Sequence, residues 1–213
     1  MIRARPDGVR GVEIVGVVRG IAREAVELSR VLEETSPEVV ALALSTEEAQ
    51  SLTEHFVQRP TEPFVPLLGS ETVEIRELSR YGEVRVPHPA FLEALEWAKR
   101  RNRRIVPVDP SEERYAEMFA EEIGYFELVR RTLREKRLLR SPPKAPDADG
   151  FILDWDRILN RGGGSRRLQR RREAAVAEAL RSLAPRARGI SCVIDRERVP
   201  ALLAALEAPV SAN

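Results

Sequence analysis

The stretch VEIVGVVRGIAREAVELSRVL, residues 12–32, changes its period partway along. β-Branched residues crowd GVEIVGVV, and then Ile21, Ala25, Leu28 and Leu32 recur at three-to-four spacing. Crowded β-branched side chains suit a strand, and the three-to-four repeat suits one buried helix face, so the chain turns around Gly16 to Gly20. A strand that feeds a helix through a glycine turn is the building unit of parallel α/β sheets, and it restricts the chain to folds in which helices cover a sheet.

The unit recurs. Ser36 and Pro37 stop the first helix, and EVVALALS (38–45) is a nearly continuous apolar run, the pattern of a strand covered on both faces. Ser45 or Thr46 can cap a helix over EEAQSLTEHF, with Glu47 and Glu48 favouring its N-terminal dipole. Prolines 60, 63, 66, 87 and 89 make 59–89 irregular, an insertion or an excursion at the active face. AFLEALEWAKRRN then predicts a helix with Phe91, Ala94, Leu95 and Ala98 on one side, leading into a third strand, RIVPVD. Ser111 can cap a long helical segment reaching about Leu139, broken near Gly124.

Residues 141–165 combine SPPKAPDADG with the triplet Gly162 to Gly164 and are expected to form a mobile loop region. Within it, alternation in LDWDR puts Asp154 and Asp156 on one face, where they would bind a cation or pair with arginines. A basic helix, a short strand GISCVID and a helix VPALLAALEA follow. The fold expected over 1–213 is a single α/β domain with a mostly parallel or mixed central sheet flanked by helices and a long helical segment in mid-chain.

Composition narrows the function classes. At 213 residues and 43% hydrophobic content the chain can bury a sizeable core. No apolar run approaches the roughly 18 residues that cross a bilayer, and MIRARPDGVRG lacks a secretory signal's apolar stretch, so a cytoplasmic location is expected. The single cysteine, Cys192, rules out an internal disulfide and a Cys-rich metal site and is read as a buried thiol. The 35 basic and 34 acidic side chains cancel, which leaves no overall attraction to nucleic acid. Lys99, Lys136 and Lys144 are the only lysines, and this arginine bias fits a heat-adapted or GC-rich source.

The order of elements resembles the TraB family, which includes pheromone-shutdown proteins and Tiki-type metalloproteases. That family opens with a strand, Gly-Thr-Ala-His and a helix, followed by P-D-V-V-A-V-E-L-D; here IVGVVRGIAREAVE and SPEVVALALS fit the frame. AFLEALEWAKRRNRRIVPVDP is similar to the family helix that precedes a strand ending in Asp-Arg. RRREAAVAEAL is similar to its E-R-N-x-x-M-A helix, and ISCVIDRERVPALLAAL to its closing strand and helix. Gly16, Asp109 and Arg172 match motif positions. The departures fall on the polar ones: Arg19 replaces the first-strand histidine, Ala43 the second-strand glutamate and Ala90 the glutamate opening the third helix, while Ile194, Asp195, Arg196 and Glu197 replace Gly-x-Gly-His.

The resemblance therefore implies the family's α/β fold without its chemistry, because a metal hydrolase needs about three His, Asp or Glu ligands on one ion. The leading expectation is a divergent, catalytically inactive TraB-like protein with no cofactor. It would bind an anionic ligand or a protein partner through the sheet's C-terminal face, Arg19, or the basic helix with Arg166, Arg167, Arg170, Arg171 and Arg172. A homodimer through the long central helices is one arrangement this permits. A second reading is a divalent-metal hydrolase or peptidase with relocated ligands drawn from His88, Asp109, Asp195 and Glu197, His88 and Asp109 being also the candidate catalytic residues. A third is an RNA- or ribosome-associated protein using RILNRGGGSRRLQRRR (157–172), with KRRNRR at 99–104 as a lesser basic cluster.

Each feature also has a plainer reading. His55, beside Phe56, is a surface or half-buried packing residue, and His88 in VPHPAF is a structural one. Asp109 can cap the next helix instead of serving a site. The arginines of 157–172 lack interleaved aromatics and can pair with the acids of EERYAEMFAEE. The glycine triplet lacks the spacing and the Lys-Ser/Thr of a P-loop.

Overall fold

The computed structural model describes residues 1–58 and 70–208. Along the chain the elements are β1 (Ile2–Ala4), β2 (Val12–Val17), α1 (Ala22–Thr35), β3 (Val39–Leu42), α2 (Thr46–Gln58), α3 (Ser70–Leu78), α4 (Pro89–Arg100) and β4 (Arg104–Pro107). They continue with α5 (Glu112–Glu122), α6 (Tyr125–Arg140), α7 (Ala148–Leu159), α8 (Gly163–Leu183), β5 (Ile190–Asp195) and α9 (Val199–Glu207). The five strands form one mixed sheet in the order β1-β2-β5-β3-β4, antiparallel between β1 and β2 and parallel elsewhere. The protein has an α/β fold with a helical middle.

β2 and β3 follow one another in the repeat but are not neighbours, because β5 from the far end of the chain lies between them. With strands on both sides and helices on both faces, every residue of Ile190–Asp195 is buried. Alternation along the strands sorts the core into two layers. Ile14, Ala41, Cys192 and Ile194 face α8 and α9, meeting Val176, Leu180 and Leu202. Val15, Val17, Val40, Leu42 and Val193 face α1 and α4, meeting Leu28, Leu32, Phe91 and Trp97. A third cluster of Leu78, Leu138, Phe151 and Trp155 joins α3, α6 and α7 to Val18 and Ile21, just past the C-terminal end of β2.

Several local expectations change. β1 went unpredicted: three residues are too few to show a period, and pairing to β2 is what makes them a strand. The region expected to be irregular over 59–89 contains α3, while residues 59–69 lie outside the described residues, as does the side chain of His55.

The supposed loop at 141–165 is helical over Ala148–Leu159, capped by Asp147, whose Oδ1 accepts from Gly150 N at 2.7 Å. Asp154 and Asp156 therefore do not share a face, since two residues on a helix are turned by about 200°. Asp154 pairs with Arg157 at 2.7 Å, and Asp156 accepts from Asn160 and Gln169. The glycine triplet starts α8 directly. Glu127 of α6 accepts from Gly164 N at 2.9 Å and Ser165 N at 2.8 Å, and a Cβ on Gly162 or Gly164 would take the space of that carboxylate. Ser111, not Asp109, caps α5, accepting from Arg114 N at 3.2 Å.

Candidate functional site

In open parallel sheets, ligands collect beyond the carboxyl ends of the strands. Here the register brings Val17 opposite Asp195 at the ends of β2 and β5. The turn after β2 passes through Gly20 at φ 91°, a left-handed conformation that glycine adopts without strain. Hydrogen bonds of 2.9 Å from Ala22 N to Glu83 O and from Arg85 N to Gly20 O pin this turn to the segment leading to His88.

Arg19, leaving that turn, grips Asp195 with both ends of its fork: Nε to Oδ1 at 3.0 Å and Nη2 to Oδ2 at 2.6 Å. Burial raises the Asp195 pKa, but the Arg19 charge and hydrogen bonds outweigh it, and the carboxyl stays below its usual range.

A second charged group closes the ends of β3 and β4. Asp109 is placed by its backbone N–H, which donates to Leu44 O at 3.2 Å. Arg198, in the short turn between β5 and α9, has all five N–H donors engaged: Nε and Nη2 on Glu173 at 2.6 and 3.2 Å, Nη1 and Nη2 on Asp109 at 2.8 and 3.0 Å, and Nη1 also on Ala43 O at 3.2 Å. Arg172 of α8 also holds Asp109, through Nε at 2.9 and 3.1 Å and through Nη2, and its guanidinium lies 5.2 Å from the centroid of the Tyr115 ring. The Arg198 charge is held firmly by Glu173 and Asp109, and the surrounding burial pushes the Cys192 thiol up to about 12.

Between this end of the sheet and the helices above it lies a cavity of about 480 Å³, within the roughly 300–1,000 Å³ typical of small-ligand pockets. His88, Arg19, Asp195, Glu197, Asp156 and Arg172 contribute to its wall. His88 sits immediately before α4; burial, then the charge of Arg19, pushes its imidazole down to about 3, so it is neutral, and its buried Nδ1 has no protein partner. Glu197 is pushed up to about 8 by burial and the neighbouring Asp195, and its buried Oε2 is likewise unpartnered. At neutral pH the cavity thus offers a neutral imidazole, a protonated carboxyl and the Arg19–Asp195 pair. Burial also raises the Asp156 pKa.

His88, Asp195 and Glu197 therefore line one cavity, while Asp109 is taken up by two arginines beside it. Among the described residues, no group of three or more His, Cys, Asp or Glu is placed to hold a metal ion. Such a wall can bind and orient a polar molecule through hydrogen bonds, and of its carboxylates Asp195 and Glu173 are already committed to guanidinium groups.

The basic helix is divided. Arg167 meets Glu122 at 2.7 Å, Arg171 meets Glu121 at 2.5 Å and Glu122 at 3.1 Å, and Arg172 turns inward. Arg166 and Arg170 are exposed and have no ion pair among the described residues.

Sequence reasoning missed Glu173 and Arg198. Glu173 stands one helical step before Val176 and Leu180 on the inward register of α8, so a buried acid was legible there. Arg198 follows directly on Ile194 to Glu197, the four residues that stand where the TraB frame has Gly-x-Gly-His, and its own position carries no motif residue. Among the described residues no helix is long and apolar enough to cross a membrane. No protein-family model matches the chain, and neither does any curated protein.

Proposed function

We propose that the chain is a binding protein, a divergent TraB-like domain without metal chemistry, and that it holds a small donor-rich or cationic molecule in the cavity at the C-terminal end of the sheet. The observation that carries this reading is the arginine closure of the carboxylates: Asp195 is gripped by Arg19, and Asp109 is shared by Arg172 and Arg198. An acid that is to bind a metal must keep a lone pair open for it. Arg172 and Asp109 hold each other, so the two polar residues that match the TraB frame have a structural task. The charge of the wall sets the ligand class. Of its four arginines, Arg19 is matched by Asp195, Arg172 and Arg198 by Asp109 behind the wall and by Glu173, and Arg131 donates to Asn160, whereas Glu47, Glu48, Glu112 and Asp156 add further acid, so an anion would meet a repulsive wall.

The test has two arms. Purified protein is incubated with Mn, Co and Zn, desalted and assayed by plasma mass spectrometry. In parallel, thermal unfolding is followed with spermidine, agmatine, phosphate and sulfate at matched ionic strength. The expected result is substoichiometric metal and a Tm raised by the amines but not by the anions. A stoichiometric metal would instead support the hydrolase reading with ligands at His88, Asp195 and Glu197, and stabilisation by phosphate alone would reverse the assigned ligand charge. Three arginines of the Arg-rich helix are already paired, so the RNA reading is left with Arg166 and Arg170 as its exposed, unpaired cations on that helix among the described residues.

A further inference from the structure

Among the described residues, five of the six exposed large apolar side chains cluster on α6, the sixth being Val26 on α1. Tyr125 is 75% exposed, Phe126 78%, Leu133 60%, Leu128 44% and Val129 41%. Phe126, Val129 and Leu133 follow a three-then-four spacing, so they form one stripe along the outer side of the helix, while Leu138 on the inner side is buried. Soluble proteins rarely leave so continuous an apolar stripe uncovered unless something docks there.

We propose that the stripe is covered by α6 of a second copy of this chain, packed antiparallel about a twofold axis near Val129. The charge along the segment identifies the occupant. Downstream of the stripe, α6 carries the exposed cations Lys136, Arg137 and Arg140; upstream, α5 carries the exposed acids Glu112 and Glu113, together with Glu117 and Glu121, which pair with Arg114 and Arg171. α5 packs on α8, whereas α6 packs on α7 and α3, so the two helices succeed one another and are not folded together as a hairpin. The segment is therefore acidic at one end, apolar around the single exposed cation Arg130 in the middle and basic at the other. A twofold axis through the middle lays each basic end on the partner's acidic end, which makes the surface complementary to itself. A parallel pairing would set Lys136, Arg137 and Arg140 of one copy against the same three cations of the other. The 16 residues of α6 span about 24 Å, so Arg137 and Arg140 reach beyond the partner's Tyr125 toward its α5.

The chain provides its own cross-linking test, because Cys192 is its only cysteine and is buried. In Val129→Cys the new thiols lie beside the twofold axis, so mild oxidation is expected to yield a disulfide-linked dimer. Val26→Cys on α1, also exposed at 57%, serves as the matched control and is expected to remain monomeric on a non-reducing gel. Light scattering of the wild-type chain is expected to give twice the chain mass at micromolar concentration. Phe126→Glu with Leu133→Glu is expected to give a monomer of unchanged circular dichroism, and Arg137→Glu with Arg140→Glu to weaken association by about tenfold or more. A monomeric wild type up to hundreds of micromolar overturns the proposal, as does a dimer that survives Phe126→Glu with Leu133→Glu or equal cross-linking at positions 26 and 129.

Discussion

Arg198 and Arg167 each donate from Nε to a glutamate at nearly the same distance, 2.6 Å to Glu173 and 2.7 Å to Glu122. Their surroundings differ entirely. The side chains of the first pair are 5% and 1% exposed, those of the second 54% and 15%. Distance alone would rank them as equals, but the energy of an ion pair depends on what happens when one member is lost. At the surface water replaces the missing partner; inside, the remaining charge is stranded.

The largest effect should therefore come from Arg198→Met. It leaves Asp109 and Glu173, at 2% and 1% side-chain exposure, with Arg172 as the nearest remaining cation. Breaking a buried network in this way costs about 3–5 kcal/mol, a large part of a typical domain's stability of about 5–15 kcal/mol. Urea denaturation is expected to show that loss, or the variant will not accumulate in soluble form. Adding Glu173→Leu and Asp109→Asn removes the stranded charges and is expected to recover much of the loss. A single variant that unfolds with the wild type would erase the distinction between the two pairs.

The same contrast explains how far the sequence could be read. Strand and helix identity at β2, α1, β3 and α4 was legible because it rests on local period, the signal carried by Val12 to Leu32. The place of β5 between β2 and β3 was not, since Ile190 to Asp195 looks like any short apolar run until its neighbours are known. The charges divide in the same way. Acids at 112–122 facing arginines at 166–172 could be proposed from composition, but the sharing of Asp109 between Arg172 and Arg198 joins residues 63 and 89 positions apart. The glycine triplet shows the opposite error. Glycine is consistent with a loose loop, yet here it makes room for Glu127, which is 37 residues from Gly164 and leaves no local trace.

A second contrast sets two glutamates against each other and predicts opposite pH responses. Glu197 is pushed up to about 8 from an ordinary 4.5 by burial, then by Asp195, so the folded state keeps a proton that the unfolded chain releases. Its contribution is complete below about pH 4.5 and is lost as pH rises through about 8. Glu122 is lowered by its hydrogen bonds to Arg167 and Arg171; its contribution is present above the ordinary value and lost as pH falls. Thermal unfolding of Glu197→Gln should therefore gain on the wild type as pH rises from about 5 to about 9, while Glu122→Gln should differ from it less as pH falls below about 4. Parallel curves for Glu197→Gln would mean that its carboxyl is hydrated and ordinary, which would also remove the protonated donor assigned to the cavity.

Arg167→Gln should have the smallest effect of all. Its guanidinium is 54% exposed, its glutamate keeps Arg171 as a second partner, and screening by salt weakens what remains. The variant is expected to melt together with the wild type, within the scatter of repeat scans, and to stay there as salt is raised. A clear loss at low salt that fades on adding salt would show that α5 and α8 are held together by the whole acid–arginine set of Glu121, Glu122, Arg167 and Arg171 acting as one network. The dividing line between the two arginines would then be the number of charges that share the load, with burial second to it, and Arg171→Gln should show the same salt dependence at greater strength because Arg171 contacts both glutamates.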